Sequence, residues 1–239
     1  MKNAPFIAVT SQPVPYHADT TAIFNTLCQQ NSNSLLLDSA EIGSKNSLQS
    51  LILINAAVKI ICLGNQVTFK ALNANGKQVL KEIHPVLSQL GTSNTAKVEE
   101  EFSVQFAPLD NQLDEDSKLQ AATIFDGLRV ISNHYQHSST PIFLGGLFAY
   151  DLVANFIPMQ GIALQDDGIS CPDYSFYLAE NLITIDHQSQ QATLKSFCFS
   201  QEEQVEVAKT ALSIAQKLKN IDGVLSIKAA SDEVSTNFE

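Results

Sequence analysis

The sequence has 239 residues, of which 44% are hydrophobic and only 16% are charged, with a formal net charge of -11 at pH 7. The 14 Lys and Arg residues do not cluster, which disfavours a nucleic-acid-binding surface, since such surfaces concentrate basic side chains. The most apolar run, 51–63, is far shorter than the ~20 residues of a membrane span, and the N-terminus lacks the apolar run of a signal sequence. We therefore expect a globular, cytoplasmic protein with no membrane contact.

The first half of the chain predicts strands and helices in mixed order. A helix over 20–30, capped by Asp19 or Thr20, follows a strand over 5–10 and precedes a strand over 34–39. The runs 50–63 and 66–72 flank the turn residues Gly64 and Asn65 and predict a β-hairpin. The remaining predictions in this half are a turn at Asn75-Gly76, a helix over 77–90, a loop over 91–97 and a strand over 98–106.

The second half predicts one long helix over 113–135, because apolar residues repeat at helical spacing after three acidic residues that favour a helix start. A strand over 141–150, broken by Gly145-Gly146, precedes a short helix to Phe156 capped by Asp151. A hairpin over 173–187 and 191–199 and an amphipathic helix over 201–218 follow. This order predicts an α+β fold of antiparallel sheets with flanking helices.

The motifs of common active sites are missing from the sequence. It contains no GxSxG, GxGxxG or GxxxxGK[ST] pattern. His134, His137 and Asp126 have a spacing that a metal could use, but a polar loop position favours ordinary surface side chains. The four cysteines, Cys28, Cys62, Cys171 and Cys198, are far apart and are expected to be buried thiols. We predict no catalytic residue and no metal ligand.

Four segments resemble one known family in order and at similar spacing. They are LLLDSAEIGSKNSLQS and its continuation from Leu35, LDEDSKLQAATIFDGLRV at 113–130, FLGGLFAYDLVANF at 143–156, and CPDYSFYLAENLITIDHQ at 171–188. Together they resemble the N-terminal part of anthranilate synthase component I, the large subunit. The resemblance implies that this fold is part of a layered α/β sandwich shared by chorismate-using enzymes. It also implies that Asp186 and His187 end a strand before a hairpin turn and have a structural role.

The resemblance further implies the activity of the complete enzyme, which makes anthranilate from chorismate and ammonia, uses Mg²⁺ and is inhibited by L-tryptophan. The ammonia comes from a glutamine amidotransferase subunit, component II. In this family the chorismate and Mg²⁺ residues lie in a C-terminal catalytic domain, which is expected to be absent here. We therefore expect a regulatory domain over 1–222, a tail or linker over 223–239, no cofactor, and no activity of this chain alone.

The resemblance also implies an effector site. The family's tryptophan-sensing motif matches Leu36, Leu37, Asp38 and Ser39, which predicts that Leu37, Asp38 and Ser39 bind L-tryptophan. A few polar groups beside apolar side chains suit an amino acid that carries an indole. The sequence departs from the motif at Asp38, where close relatives have Glu, and at Gln49, where a lysine often stands.

Two other interpretations stay open. One is the N-terminal half of aminodeoxychorismate or isochorismate synthase. The other is a free-standing amino-acid-binding or assembly protein.

Overall fold

The computed structural model describes residues 5–29, 31–38, 48–108, 114–136, 140–156 and 171–221. Its strands are β1 (Ala8–Val14), β2 (Leu35–Asp38), β3 (Gln49–Leu63), β4 (Gln66–Ala71), β5 (Thr92–Lys97), β6 (Glu101–Gln105), β7 (Leu144–Phe148), β8 (Tyr174–Asp186) and β9 (Gln191–Cys198). Its α-helices are α1 (Thr20–Cys28), α2 (Ala74–Leu90), α3 (Glu115–Gln120), α4 (Asp126–His134) and α5 (Gln204–Lys219). A 3-10 helix covers Tyr150–Asn155.

Two long strands, β3 and β8, organise the sheet. They pair with each other along most of their length, with register shifts between Leu53 and Val58. On either side of these shifts, different strands flank them: β2 and β9 border one end, whereas β4 and β7 border the other. We call the part with β1, β9 and β2 the first half-sheet, and the part with β7, β4, β6 and β5 the second half-sheet.

Each half-sheet has its own hydrophobic cluster. Helices α1 and α5 pack on the first half-sheet, where Ile23, Ile52, Ile183 and Ile214 are buried together. Helices α2 and α4 pack on the second half-sheet, around residues that include Phe69, Leu80, Phe102, Ile131 and Tyr174. The predicted α+β class, with antiparallel strands and flanking helices, is confirmed, since every strand pair in the described residues is antiparallel. The layered sandwich and the division at residue 222 stay predictions.

The single helix predicted over 113–135 is wrong, because the chain forms α3 and α4 with a break between them. The carboxylate of Asp126 accepts a hydrogen bond from the backbone N–H of Thr123 at 2.6 Å. The carbonyl of Ile124 accepts one from the Tyr174 hydroxyl at 2.7 Å. These contacts satisfy backbone groups that a continuous helix would have paired internally. Asp114 begins α3 by accepting from the N–H of Ser117, as its position in the acidic run predicted.

Several other predictions need correction. The segment 91–97 is an edge strand, β5, whose mostly exposed polar side chains lack the alternation of a half-buried strand. Asn75-Gly76 is no turn but lies in the first turn of α2, which Asn73 caps. Asp151 lies inside the 3-10 helix, which begins one residue earlier. Of the cysteines, three are buried as predicted, but Cys171 is exposed.

The predicted break at Gly145-Gly146 is wrong, because β7 runs through both glycines from Leu144 to Phe148. A Cβ atom on Gly146 would lie 2.2 Å from the backbone oxygen of Ser175 in the neighbouring strand β8. The amphipathic helix predicted over 201–218 is confirmed as α5, in which Val207, Ala211, Ile214 and Leu218 are all buried. No helix in the described part of the chain is long and apolar enough to cross a membrane.

Candidate functional site

The predicted effector residues lie at the end of the short strand β2. This strand pairs with the first residues of β3, so that Asp38 faces Ser50 and Leu37 faces Leu51. Leu36 is half-buried and packs against the cluster of the first half-sheet. Leu37 and Asp38 are exposed, with 42% of Leu37 accessible. Ser39 lies outside the described residues, so its predicted role stays a prediction.

Two hydroxyl groups hold the Asp38 carboxylate in place. Thr20, the first residue of α1, donates from Oγ1 to Oδ2 of Asp38 at 3.3 Å. Ser50, on β3, donates from Oγ to Oδ1. Each carboxylate oxygen has two lone pairs, so each keeps acceptor capacity after these bonds form. An exposed carboxylate with a fixed orientation and spare acceptors can bind a cationic N–H group.

The polar contacts continue from Asp38 through Ser50 to two half-buried side chains. Oγ of Ser50 lies 2.8 Å from Nε2 of His187, and Nδ1 of the same imidazole lies 3.2 Å from the hydroxyl of Tyr16. Ser50 has no exposed surface. The backbone N–H of His187 donates to the carbonyl of Leu48 at 2.9 Å, which attaches the β8–β9 turn to the start of β3. The side chains of Tyr16, Thr20, Asp38, Ser50 and His187 thus form one chain of hydrogen bonds, which we call the Asp38 relay.

No sequence pattern predicted Ser50 or His187 as site residues. Asp186 does act structurally, because its carboxylate accepts from the backbone N–H groups of Gln188 and Ser189 in the turn. His187 has a second role, since it contacts Ser50, which is 137 positions away in the sequence. Only the pairing of β3 with β8, in which Gln49 faces Asp186, brings the two together. A motif search cannot find such a pair.

The combination of Asp, Ser and His is not a hydrolase triad. In a triad, the histidine lies between the acid and the serine and takes the serine proton. Here the serine lies between the other two, its proton is donated to Asp38, and its oxygen is inaccessible to a substrate. The relay therefore suits ligand binding and not nucleophilic attack.

A second polar network lies at the boundary between the half-sheets. The buried carboxylate of Glu180 on β8 accepts hydrogen bonds from the side-chain amides of Asn73 and Asn75, both at 2.9 Å. Burial raises the pKa of Glu180, although the two amides partly oppose this effect. Asn75 also donates to the carbonyl of Phe197 and accepts from the N–H of Phe199. The network attaches the start of α2 to β8 and β9, and its role is structural.

The histidines considered for metal binding do not form a metal site in the described residues. His134 lies 2.9 Å from the Glu82 carboxylate, which Tyr135 also contacts, and His137 lies outside the described part. Burial disfavours a charge on Glu82, but hydrogen bonds from His134, Gln78 and Tyr135 outweigh it and lower the pKa. No group of three or more His, Cys, Asp or Glu residues in the described chain could hold a metal ion.

Comparison with known proteins identifies the family. The model for chorismate binding enzymes matches residues 76–237, more than half of the sequence, and the chain belongs to this family. Within it, the chain is similar to anthranilate synthase component 1. It is 83% identical to that protein of Haemophilus influenzae over 98% of this chain and 45% of the relative.

More distant relatives carry the same name. The protein of Vibrio cholerae is 46% identical over 83% of this chain and 37% of its own length. That of Escherichia coli K12 is 36% identical over 82% of this chain and 37% of its own length. The chain thus spans less than half the length of these curated relatives, and its match lies in their N-terminal part. The resemblance found in the sequence is confirmed.

Proposed function

We propose that this chain is the L-tryptophan-sensing part of an anthranilate synthase component 1. The complete protein would convert chorismate to anthranilate in tryptophan biosynthesis, with Mg²⁺, and would receive ammonia from a component II subunit. High identity to a relative of that name supports the proposal. Because the chain spans 45% of that relative, we propose this activity for the complete protein.

The proposed effector site consists of Leu37, Asp38 and Ser39, and the observation that carries it is the fixed, exposed carboxylate of Asp38. The ligand ammonium would donate to this carboxylate, and the exposed side chain of Leu37 would contact the indole. A ligand that binds more tightly to a state with low affinity for chorismate would favour that state. The affinity of the complete protein for chorismate would then fall. Feedback inhibition is then a coupling free energy between two sites.

An exposed apolar surface supports a covering partner. Leu147, Phe148, Tyr150 and Val153 are all exposed on β7 and the 3-10 helix, and 90% of Tyr150 is accessible. Large apolar side chains exposed over one short stretch, which we call the exposed patch, are typical of a protein interface. We propose that the catalytic part of the complete protein covers this patch, and that component II binds the assembled enzyme.

The test is a titration of L-tryptophan that follows the emission of its indole, since the chain contains no Trp. It should be run on this chain and on a chimera in which the chain replaces the matching part of the Haemophilus influenzae relative. We expect saturable binding that Asp38→Ala weakens at least tenfold, about 1.4 kcal/mol. Asp116→Ala, which removes an exposed carboxylate elsewhere, is the matched control and should bind normally. Normal binding by Asp38→Ala, or no binding by the chimera, would contradict the proposal.

A second candidate ligand is chorismate itself. The match of residues 76–237 to the chorismate binding enzymes favours this ligand. The matched residues include β5, β6 and β7 of the second half-sheet. Titration of chorismate into the chain alone distinguishes the candidates. If the chain binds chorismate and Asp38→Ala leaves that binding unchanged, the chain would contain a substrate site that is separate from Asp38. The 83% identity to an anthranilate synthase component 1 favours the proposed function over an aminodeoxychorismate or isochorismate synthase.

A further inference from the structure

The directions of the hydrogen bonds in the Asp38 relay follow from its donors and acceptors. An ionised carboxylate only accepts, so the single hydroxyl proton of Ser50 must be donated to Asp38. Oγ of Ser50 must then accept from Nε2 of His187, which therefore carries a proton. In a neutral imidazole the other nitrogen is an acceptor, and Nδ1 faces the hydroxyl of Tyr16, which can donate to it. All protons in the relay thus point toward Asp38.

This arrangement fixes the Ser50 hydroxyl. If His187 carried its proton on Nδ1, then Nε2 would be an acceptor and would compete with Asp38 for the Ser50 proton. The bond from Ser50 to Asp38 opposes that tautomer, because Ser50 has no second proton to donate to Nε2, and with the proton on Nε2 the Tyr16 hydroxyl can donate to Nδ1. When Nε2 carries the proton, it donates to Oγ of Ser50, so that the Ser50 hydroxyl can donate only to Asp38. The bond to Oδ1 then holds the carboxylate plane together with the bond from Thr20 to Oδ2.

We propose that Ser50 and His187 are positioning residues that orient Asp38 for the ammonium group of an amino-acid ligand. The inference rests on the proposed effector site and adds its specificity: the relay selects ligands with a cationic amino group. Ser50 does not touch the ligand, because it is fully buried, and the half-buried His187 acts on Asp38 only through Ser50. A ligand that lacks the ammonium gains nothing from the orientation of Asp38.

The experiment compares two ligands, L-tryptophan and indole-3-propionate, which has the indole and the carboxylate but no amino group. Both are titrated into the chimera with Ser50→Ala, His187→Phe and His187→Gln. Ser50→Ala removes one of the two bonds to the carboxylate and should weaken L-tryptophan about tenfold, while indole-3-propionate changes less than about twofold. His187→Phe should show a smaller selective loss, and His187→Gln should restore binding, because its amide can donate to Ser50.

A double-mutant cycle separates positioning from a general structural effect. In the Asp38→Asn background, Ser50→Ala should cause no further loss of L-tryptophan affinity, because the carboxylate that it orients is gone. Two results would overturn the inference while leaving the effector site intact. One is an equal loss of affinity for both ligands on Ser50→Ala. The other is a loss of L-tryptophan affinity on Ser50→Ala that is as large in the Asp38→Asn background as in the unsubstituted protein. An unsubstituted chimera that binds no L-tryptophan would overturn the proposed function and this inference with it.

A measurement without ligand tests the relay itself. The ¹⁵N shifts of the His187 ring report its tautomer, and we expect the proton on Nε2 in the unsubstituted protein. Tyr16→Phe removes the donor to Nδ1 and should increase the fraction with the proton on Nδ1. A ring that carries its proton on Nδ1 in the unsubstituted protein would refute the direction of the relay, whether or not tryptophan binds.

Discussion

The start of α2 lies so close to β3 that Gly76 cannot carry a side chain. An added Cβ atom would be 1.9 Å from the backbone oxygen of Ala57, whereas ordinary contact begins at 3.4 Å. The helix would have to move by about 1.5 Å, since neither atom can rotate away. That movement would separate Val79, Leu80 and Ile83, which have no exposed surface, from the sheet. It would also strain the bonds of Asn75 to Glu180 and Phe197.

We therefore expect Gly76→Ala to lower the free energy of unfolding by about 3 kcal/mol. Overpacking costs about 1–3 kcal/mol, and strained buried hydrogen bonds add to this, while the better helix propensity of alanine returns less than about 1 kcal/mol. Urea denaturation followed by circular dichroism measures the change. Lys81→Ala, at an exposed position of the same helix, is the control and should stay within about 0.5 kcal/mol. A Gly76→Ala protein as stable as the unsubstituted one would refute this packing of α2 on β3.

Three further predictions concern single side chains. Gly146→Ala should destabilise by about 1–3 kcal/mol in the same assay, because its Cβ would contact the backbone of Ser175. Because the pKa of Glu180 is raised in the folded protein, its carboxyl group stabilises the fold most when protonated and loses this contribution as pH rises. The stability of Glu180→Gln relative to the unsubstituted protein should therefore increase as pH rises above the ordinary carboxyl pKa. The lowered pKa of Glu82 has the opposite sign: its contribution is present above the ordinary carboxyl pKa and is lost on acidification, so Glu82→Gln should flatten the acid side of the stability profile.

Local signals in the sequence predicted the elements whose residues determine their own structure. Asp19 caps α1 by accepting from the N–H of Ala22, and the turn at Gly64 joins β3 to β4, both as predicted. The errors arose where distant residues decide. The break before α4 depends on Tyr174, and the pairing of polar β5 depends on β6. Asn75-Gly76 has the composition of a turn, but Asn73 caps a helix there because Gly76 allows close contact with Ala57.

The candidate site shows the same limit more strongly. The family motif in the sequence includes Asp38, and in the structure the hydroxyl groups of Thr20 and Ser50 donate to its carboxylate. No spacing rule connects Asp38 with His187, since the contact between them runs through Ser50 and exists only because β3 lies between β2 and β8. The proposed positioning residues, Ser50 and His187, are therefore harder to predict from the sequence than Asp38.

Two strands connect the Asp38 relay with the exposed patch. The relay lies in the first half-sheet and its connections, whereas the exposed patch from Leu147 to Val153 lies on β7 of the second half-sheet and on the 3-10 helix. Two strands run through both parts: β3 supplies Ser50 at one end, and β8 pairs with β7 at the other. A ligand that tightens the bonds around Asp38 thus acts on strands that also support the patch. We expect such coupling to depend on the irregular pairing between Leu53 and Val58, because that is where the two half-sheets join.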